Sequence, residues 1–278
     1  MEKIKIITDT TVDLPKEVLE KYDIQAIPVI INFGEESYLD GVEITRDEVF
    51  RRIDNNDAFP TTSQITPVRF NEVFQKYLNQ GFKVLAILMS SGMSGTYQSA
   101  CLSKNMLGTD DITVIDSQSI CSGLGLLVLR AAMLRDKGMT ISEIQEDLEQ
   151  VKNKIYSSLS FDSLDNLIKG GRLPKIVGVV TGILGIKMIL EIKDGVMAVK
   201  DKVRGSKKAA KRILSDLEKY GNIDEMPIIL VNLDMDEIAN PIKEYLNENK
   251  IDYIEAPVGS SVGIHSGNKV SGIFFFTK

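Results

Sequence analysis

The chain has 278 residues, 43% of them apolar, enough to bury a sizeable core in one large domain or two moderate ones. Lys and Arg number 33 against 39 Asp and Glu, a formal charge of −6, which argues against the chain as a whole being drawn to nucleic acid or to an anionic lipid surface. The two cysteines, Cys101 and Cys121, form no metal-spaced group, so a reduced, cytoplasmic setting is the expectation, with both thiols as core fillers. The start reads as a first strand rather than an export leader. Residues 176–190 are the most apolar stretch, yet they carry Lys187 and fall short of the roughly 20 residues a bilayer requires, which excludes an integral membrane segment there and predicts a buried one.

Taken in order, the first half alternates. Residues 4–8 read as a strand, 15–22 as a helix, 27–33 as a strand, then 46–55 and 68–80 as helices. A strand at 84–89, a helix at 96–106, a strand at 112–116 and helices at 123–137 and 142–154 follow. Short Ile- and Val-rich runs closed by Gly, Ser or Thr turns predict a parallel α/β sheet covered on both faces. After about residue 157 the pattern changes. Residues 186–192 and 196–203 flank Asp194-Gly195, a strong hairpin signal, and a helix at 206–220, a strand at 228–233, a helix at 237–249, a strand at 253–257 and the apolar run 273–276 complete a mixed-sheet α/β unit. The expectation is therefore two α/β domains, residues 1–157 and 158–278, packed closely with a ligand cleft between them.

The segment Ser90-Ser91-Gly92-Met93-Ser94-Gly95-Thr96-Tyr97-Gln98-Ser99 leaves a buried strand and enters a helix, so it aims backbone N–H groups and short hydroxyls at one place, suiting an anionic head group. It is not a phosphate loop, because no Lys follows its last glycine. Asp9-Thr10-Thr11 and Asp116-Ser117-Gln118-Ser119 close two other strands, and Pro60-Thr61-Thr62-Ser63-Gln64 is expected as a loop over the same crest. Helix capping by Asp13, Ser63 and Thr96 is the plainer account of each residue taken singly. His265, the only histidine, lies between glycines, where it could donate to an anion or carry partial positive charge beside one. Arg204, Lys207, Lys208, Lys211 and Arg212 make a basic run at the start of a helix. A serine hydrolase using Ser94 and His265 is the rival reading, although the glycine after Ser94 comes one residue too early for a nucleophile elbow. A docking or regulatory module without a ligand is a third.

Five segments together resemble the DegV family, which includes the fatty-acid-binding subunits of bacterial fatty acid kinase: residues 8–14 (Thr-Asp-Thr-Thr-Val-Asp-Leu), Thr61-Thr62-Ser63-Gln64, the Ser90–Ala100 segment, Leu167-Ile168-Lys169-Gly170-Gly171-Arg172-Leu173, and Gly263-Ile264-His265-Ser266-Gly267. The resemblance spans nearly the whole chain. It implies two α/β domains holding one long-chain fatty acid, the carboxylate bonded at the domain interface, the acyl chain in an internal tunnel, and a separate kinase that converts the carboxylate to an acyl phosphate. It also implies no catalysis by this chain and no cofactor. Carried over residue by residue, the carboxylate contacts fall on Thr62, its neighbour Ser63, Ser94, His265 and Arg172, and the kinase contact on Arg204.

Overall fold

The computed structural model describes residues 2–55, 59–174, 185–221 and 226–278. The chain divides into two compact units, residues 1–153 with 259–261, and residues 154–258 with 262–278.

The first unit runs β1 (Ile4–Asp9), α1 (Lys16–Lys21), β2 (Ile24–Ile27), β3 (Ile30–Phe33), β4 (Glu36–Leu39), α2 (Arg46–Asp54), β5 (Thr61–Ser63), α3 (Pro67–Leu78), β6 (Lys83–Leu88), α4 (Thr96–Leu107), β7 (Ile112–Asp116), α5 (Ser122–Asp136) and α6 (Ile141–Val151). Its main sheet has the order β2-β1-β6-β7 with every pair parallel. All six residues of β1 are buried, as a strand covered on both faces requires. One face packs Ile7, Val84, Ala86 and Leu88 against Phe70 and Phe74 of α3 and Ala100 of α4. α5 packs against β1 and β6 and is buried around most of its circumference, so its sequence carries no amphipathic stripe.

The single strand expected over 27–33 is two strands in two sheets. Pro28 has no N–H to give a ladder, so the chain leaves the parallel sheet after Ile27 and starts a separate three-stranded antiparallel sheet, β4-β3-β5. The expected loop over Thr61–Ser63 is the third strand of that sheet, with Thr62 opposite Ile31.

The second unit runs β8 (Ile155–Phe161), α7 (Asp165–Lys169), β9 (Ile186–Lys193), β10 (Val196–Arg204), α8 (Ser206–Tyr220), β11 (Ile228–Leu233), α9 (Asp236–Glu248), β12 (Tyr253–Ala256), α10 (Ser260–Ser266) and β13 (Val270–Phe276). The sheet order is β10-β9-β8-β13-β11-β12, antiparallel except for β11 with β12. Asp194 and Gly195 both take positive φ, 51° and 76°, the type I′ turn that joins β9 to β10 without splaying them. Ala209, Ile213 and Leu217 of α8 and Ile238, Ile242 and Leu246 of α9 cover Ile189, Ile228, Leu230, Ile273 and Phe275 of the sheet.

Helix 142–154 of the sequence reading ends at Val151; a short 3-10 turn follows and then β8, whose Ser157, Ser158 and Ser160 are buried. Residues 176–184 of the apolar stretch lie outside the described residues, and the rest of that stretch enters β9.

Candidate functional site

In the parallel sheet the chain leaves β1 toward β2 on one side and later returns as β6 on the other, which puts the topological switch point at the carboxyl ends of β1 and β6. Open parallel sheets bind ligands there, where loops diverge and leave a crevice. The loops concerned are residues 10–15 and 89–95.

Most of the polar groups at this crest are already spent on holding the loops. Asp9, fully buried, accepts from Thr11 N at 3.0 Å, Thr11 Oγ1 at 2.5 Å and Met89 N at 2.9 Å, so it ties the end of β1 to the end of β6. Thr10 Oγ1 donates to Asp40 at 3.1 Å, and Asp116 Oδ1 accepts from Ser91 N at 3.1 Å and Gln118 N at 3.0 Å. Ser117 Oγ donates to Ser119 O at 3.0 Å. The hydroxyls at the β1 and β7 ends are thus already engaged, Thr10 and Thr11 with the Asp40 and Asp9 carboxylates and Ser117 with the backbone two residues on.

Helix capping is corrected as well. α3 is capped by Thr66 rather than Ser63, Gly95 holds the N-cap of α4 with Thr96 as its first residue, and Asp13 closes a 3-10 turn at φ 45°. The Asp13 carboxyl is buried, takes the N–H of Gly259 as a hydrogen-bond donor and lies beside the Cys121 thiol. Burial, with smaller contributions from Asp40 and Asp9, pushes its pKa up to about 8, so it is protonated at neutral pH. Asp40 accepts from Ser261 Oγ at 2.7 Å, and with Asp13 it holds segment 259–261 in the first unit.

Ser94 and Thr62 are half-buried. Ser94 Oγ accepts from Thr96 N at 3.3 Å and lies 3.0 Å from Thr96 Oγ1, at the head of α4. Ile65 N donates to Thr96 Oγ1 at 3.4 Å, and Gln64 Nε2 donates to Ser99 Oγ at 2.9 Å, so the strand exit just past Thr62 is fastened to the same helix that Ser94 precedes. Ser63, on the other side of β5 by strand alternation, accepts from Asn32 Nδ2 at 2.9 Å.

Ser94 lies outside the positive-φ region and is separated from β6 by residues 89–93, whereas a nucleophile elbow is a sharp, strained strand-to-helix turn.

In the second unit His265 is carried by α10, not by a glycine-flanked loop, and the Lys169–Arg172 turn is built around it. A Cβ on Gly170 would overlap His265 Nδ1, while Gly171 takes φ +72°. Asn166 Nδ2 donates to Ile264 O at 3.1 Å and Arg172 Nη1 to Gly170 O at 2.5 Å. Burial, and then the Arg172 charge, push the imidazole down to about 4, so His265 is neutral at pH 7 and the expected partial positive charge is absent. Arg204 closes β10 and is exposed.

Gln64, Thr96 and Ser99 stand inside the Thr-Ser-Gln and Ser-Gly-Thr-Tyr-Gln-Ser motifs, and the bonds that join these segments depend on contacts across more than thirty residues that no local pattern announces.

The sequence profile described as "Uncharacterised protein, DegV family" matches residues 3–278. The chain belongs to the DegV family. A DegV domain-containing protein of Clostridium perfringens is 50% identical over 275 residues, covering 99% of each chain. Among solved structures, a fatty-acid-binding DegV protein of Thermus thermophilus superposes with a TM-score of 0.90 at 28% identity, covering 99% of this chain and 100% of its own. A stearic-acid-binding protein of Eubacterium ventriosum superposes with a TM-score of 0.88 at 28% identity, covering 100% and 99%. The two-unit α/β architecture, one parallel sheet and one mixed, is that of DegV structures. Among the described residues, no helix of this DegV chain is long and apolar enough to cross a membrane, and no group of His, Cys, Asp or Glu is placed to hold a metal ion.

Proposed function

We propose that this DegV chain binds one long-chain fatty acid, with its carboxylate at the Thr62 and Ser94 hydroxyls and its acyl chain in an internal tunnel, and presents it to a separate fatty acid kinase that forms the acyl phosphate. The observation that carries the reading is that Gln64 and Ile65, two and three residues past half-buried Thr62, are bonded to the first turn of α4, which half-buried Ser94 precedes. The fatty acids bound by the Thermus and Eubacterium relatives support the ligand class. Ser63 bonds Asn32, so we assign it to holding β5 against β3 rather than to the ligand. His265 and Arg172 remain proposed head-group contacts on the strength of the family resemblance.

The energetics suit a carrier. A hydrogen bond to a charged acceptor contributes about 1.5–3 kcal/mol, while about 0.8 kcal/mol per buried methylene gives a long acyl chain on the order of 10 kcal/mol before ordering losses. Chain burial therefore dominates affinity and the hydroxyls set orientation. Neutral donors also leave carboxylate lone pairs open to the enzyme that must phosphorylate them.

The test is binding of palmitate to lipid-stripped protein. Thr62→Val and Ser94→Ala each lower affinity by about tenfold or more, the loss of one charge-assisted hydrogen bond. A wild-type protein that yields no fatty acid on extraction and takes up no palmitate would overturn the reading, and covalent labelling of Ser94 by a fluorophosphonate would replace it with the hydrolase.

A further inference from the structure

Thr62 stands on one sheet and Ser94 follows a strand of another. β5 pairs with β3 in the small antiparallel sheet, whereas the Ser94 turn leaves β6 of the parallel sheet, and no backbone ladder joins the two sheets among the described residues. The spacing of their hydroxyls is therefore set by packing and side-chain bonds. Ile65, fully buried in the core with Phe70 and Ala100, fixes where the chain passes but not how the stretch from Thr62 to Ile65 is turned.

Gln64 sits in that stretch. Its amide lies across Gly95 so closely that a Cβ there would collide with Oε1, and Nε2 reaches past it to Ser99 Oγ, a buried hydroxyl one turn into α4. Gly95 has φ −75°, which any residue adopts, so the backbone conformation makes no demand for glycine at this position; the close approach of the amide does. The neighbouring Thr96 hydroxyl takes the Ile65 N–H on one side and lies against Ser94 Oγ on the other. Ser94, Thr96, Gly95, Ser99, Gln64 and Ile65 thus form one connected clasp running from one proposed carboxylate donor to within two residues of the other.

We infer that Gln64 is a positioning residue for the head group: its clasp over Gly95 onto Ser99 sets the separation of the Thr62 and Ser94 hydroxyls, and with it the preference for a carboxylate over an uncharged head of the same chain length. The inference rests on the proposed fatty-acid reading and deepens it. Two acceptor oxygens of one carboxylate demand two donors at a fixed separation, whereas an alcohol head is satisfied by one, so a loosened clasp penalises the acid selectively. Gln64 is itself exposed, and its loss leaves the core intact.

The experiment compares equilibrium binding of palmitate and of hexadecanol to wild-type protein, Gln64→Met, Ser99→Ala and the double variant, with the thermal midpoint recorded for each. Gln64→Met keeps the length of the side chain and removes the amide; Ser99→Ala removes its acceptor. The expected result is a palmitate-to-hexadecanol affinity ratio that falls by about tenfold in either single variant, falls no further in the double, and changes through palmitate alone. An unchanged ratio in both single variants, or a parallel loss of both ligands, overturns the positioning role while leaving fatty-acid binding standing. A wild-type protein that binds neither ligand, or both equally, overturns the reading on which the inference rests.

Discussion

Replacing Asp13 by Asn stabilises the protein at neutral and alkaline pH, by an amount that grows with pH. The folded-state pKa of Asp13, about 8, stands above its ordinary 3.8, so the folded chain keeps a proton that the unfolded chain gives up. Its contribution is therefore whole below about pH 4 and is lost as pH rises toward 8. Each pH unit in that window costs about 1.4 kcal/mol, and roughly three units separate 3.8 from neutrality, giving at most about 4 kcal/mol at pH 7. Asparagine keeps an acceptor for the Gly259 N–H and tolerates the φ of 45°, so the substitution removes the titration without removing the geometry. Its second amide hydrogen must find room beside Cys121, which reduces the gain. The assay is the unfolding midpoint of both proteins from pH 4 to pH 9. The difference between them is near zero or negative at pH 4, rises through pH 5–8 and flattens above. Other titrating groups, His265 among them, are present in both proteins and cancel in the difference to first order. A difference that does not vary with pH would refute the buried, protonated Asp13.

His265 is the only histidine, so its ring proton resonance is assigned without ambiguity. Its midpoint lies near 4 in ligand-free protein, well below the ordinary 6.5, and moves up when palmitate is bound; a ligand-free midpoint at 6.5 would mean that the ring is solvated rather than buried. Because the folded value is the lower one, its contribution to stability is whole above 6.5 and is lost as pH falls toward 4. On the proposed reading, Arg204→Glu, an exposed change at the end of β10, lowers acyl phosphate formation by a separate fatty acid kinase and leaves palmitate affinity unchanged; loss of palmitate binding would refute the assignment of Arg204 to docking.

Where a signal is local, the sequence carried it. The α/β alternation of the first half, the Asp194-Gly195 turn and helix α8 follow from periodicity and turn chemistry within a few residues. What it hid depends on distant partners. β8 reads Ile-Tyr-Ser-Ser-Leu-Ser-Phe, too polar for a buried central strand until Asp216 accepts from Ser158 Oγ at 2.8 Å and Ser157 Oγ takes Ile192 N at 2.8 Å. Segment 259–261 joins the first unit through Asp13 and Asp40, more than two hundred residues away in the chain, and α10 starts there with Gly263 weakening its helical signal. The Thr-Ser-Gln and Ser-Gly-Thr motifs are visible in the sequence, but that Ser63 is taken up by Asn32 and that Gln64 ties one motif to the other depends on residues brought together only by the fold.

The crest at the ends of β1, β6 and β7 carries Asp9, Asp13 and Asp116, an odd setting for an anion until their states are considered one at a time. Asp13 is neutral at pH 7. Asp116 Oδ1 accepts from the Ser91 and Gln118 N–H groups, and Asp9 accepts from Met89 N, Thr11 N and Thr11 Oγ1, so fixed donors take up part of their acceptor capacity. An isolated carboxylate repels an incoming one; a carboxylate already wrapped in N–H donors, or protonated, does so far less. The same groups shape the loops that present Ser94. On the proposed reading, the acids at this crest are the scaffold of an anion site, tolerable because burial holds a proton on Asp13 and backbone donors surround the others.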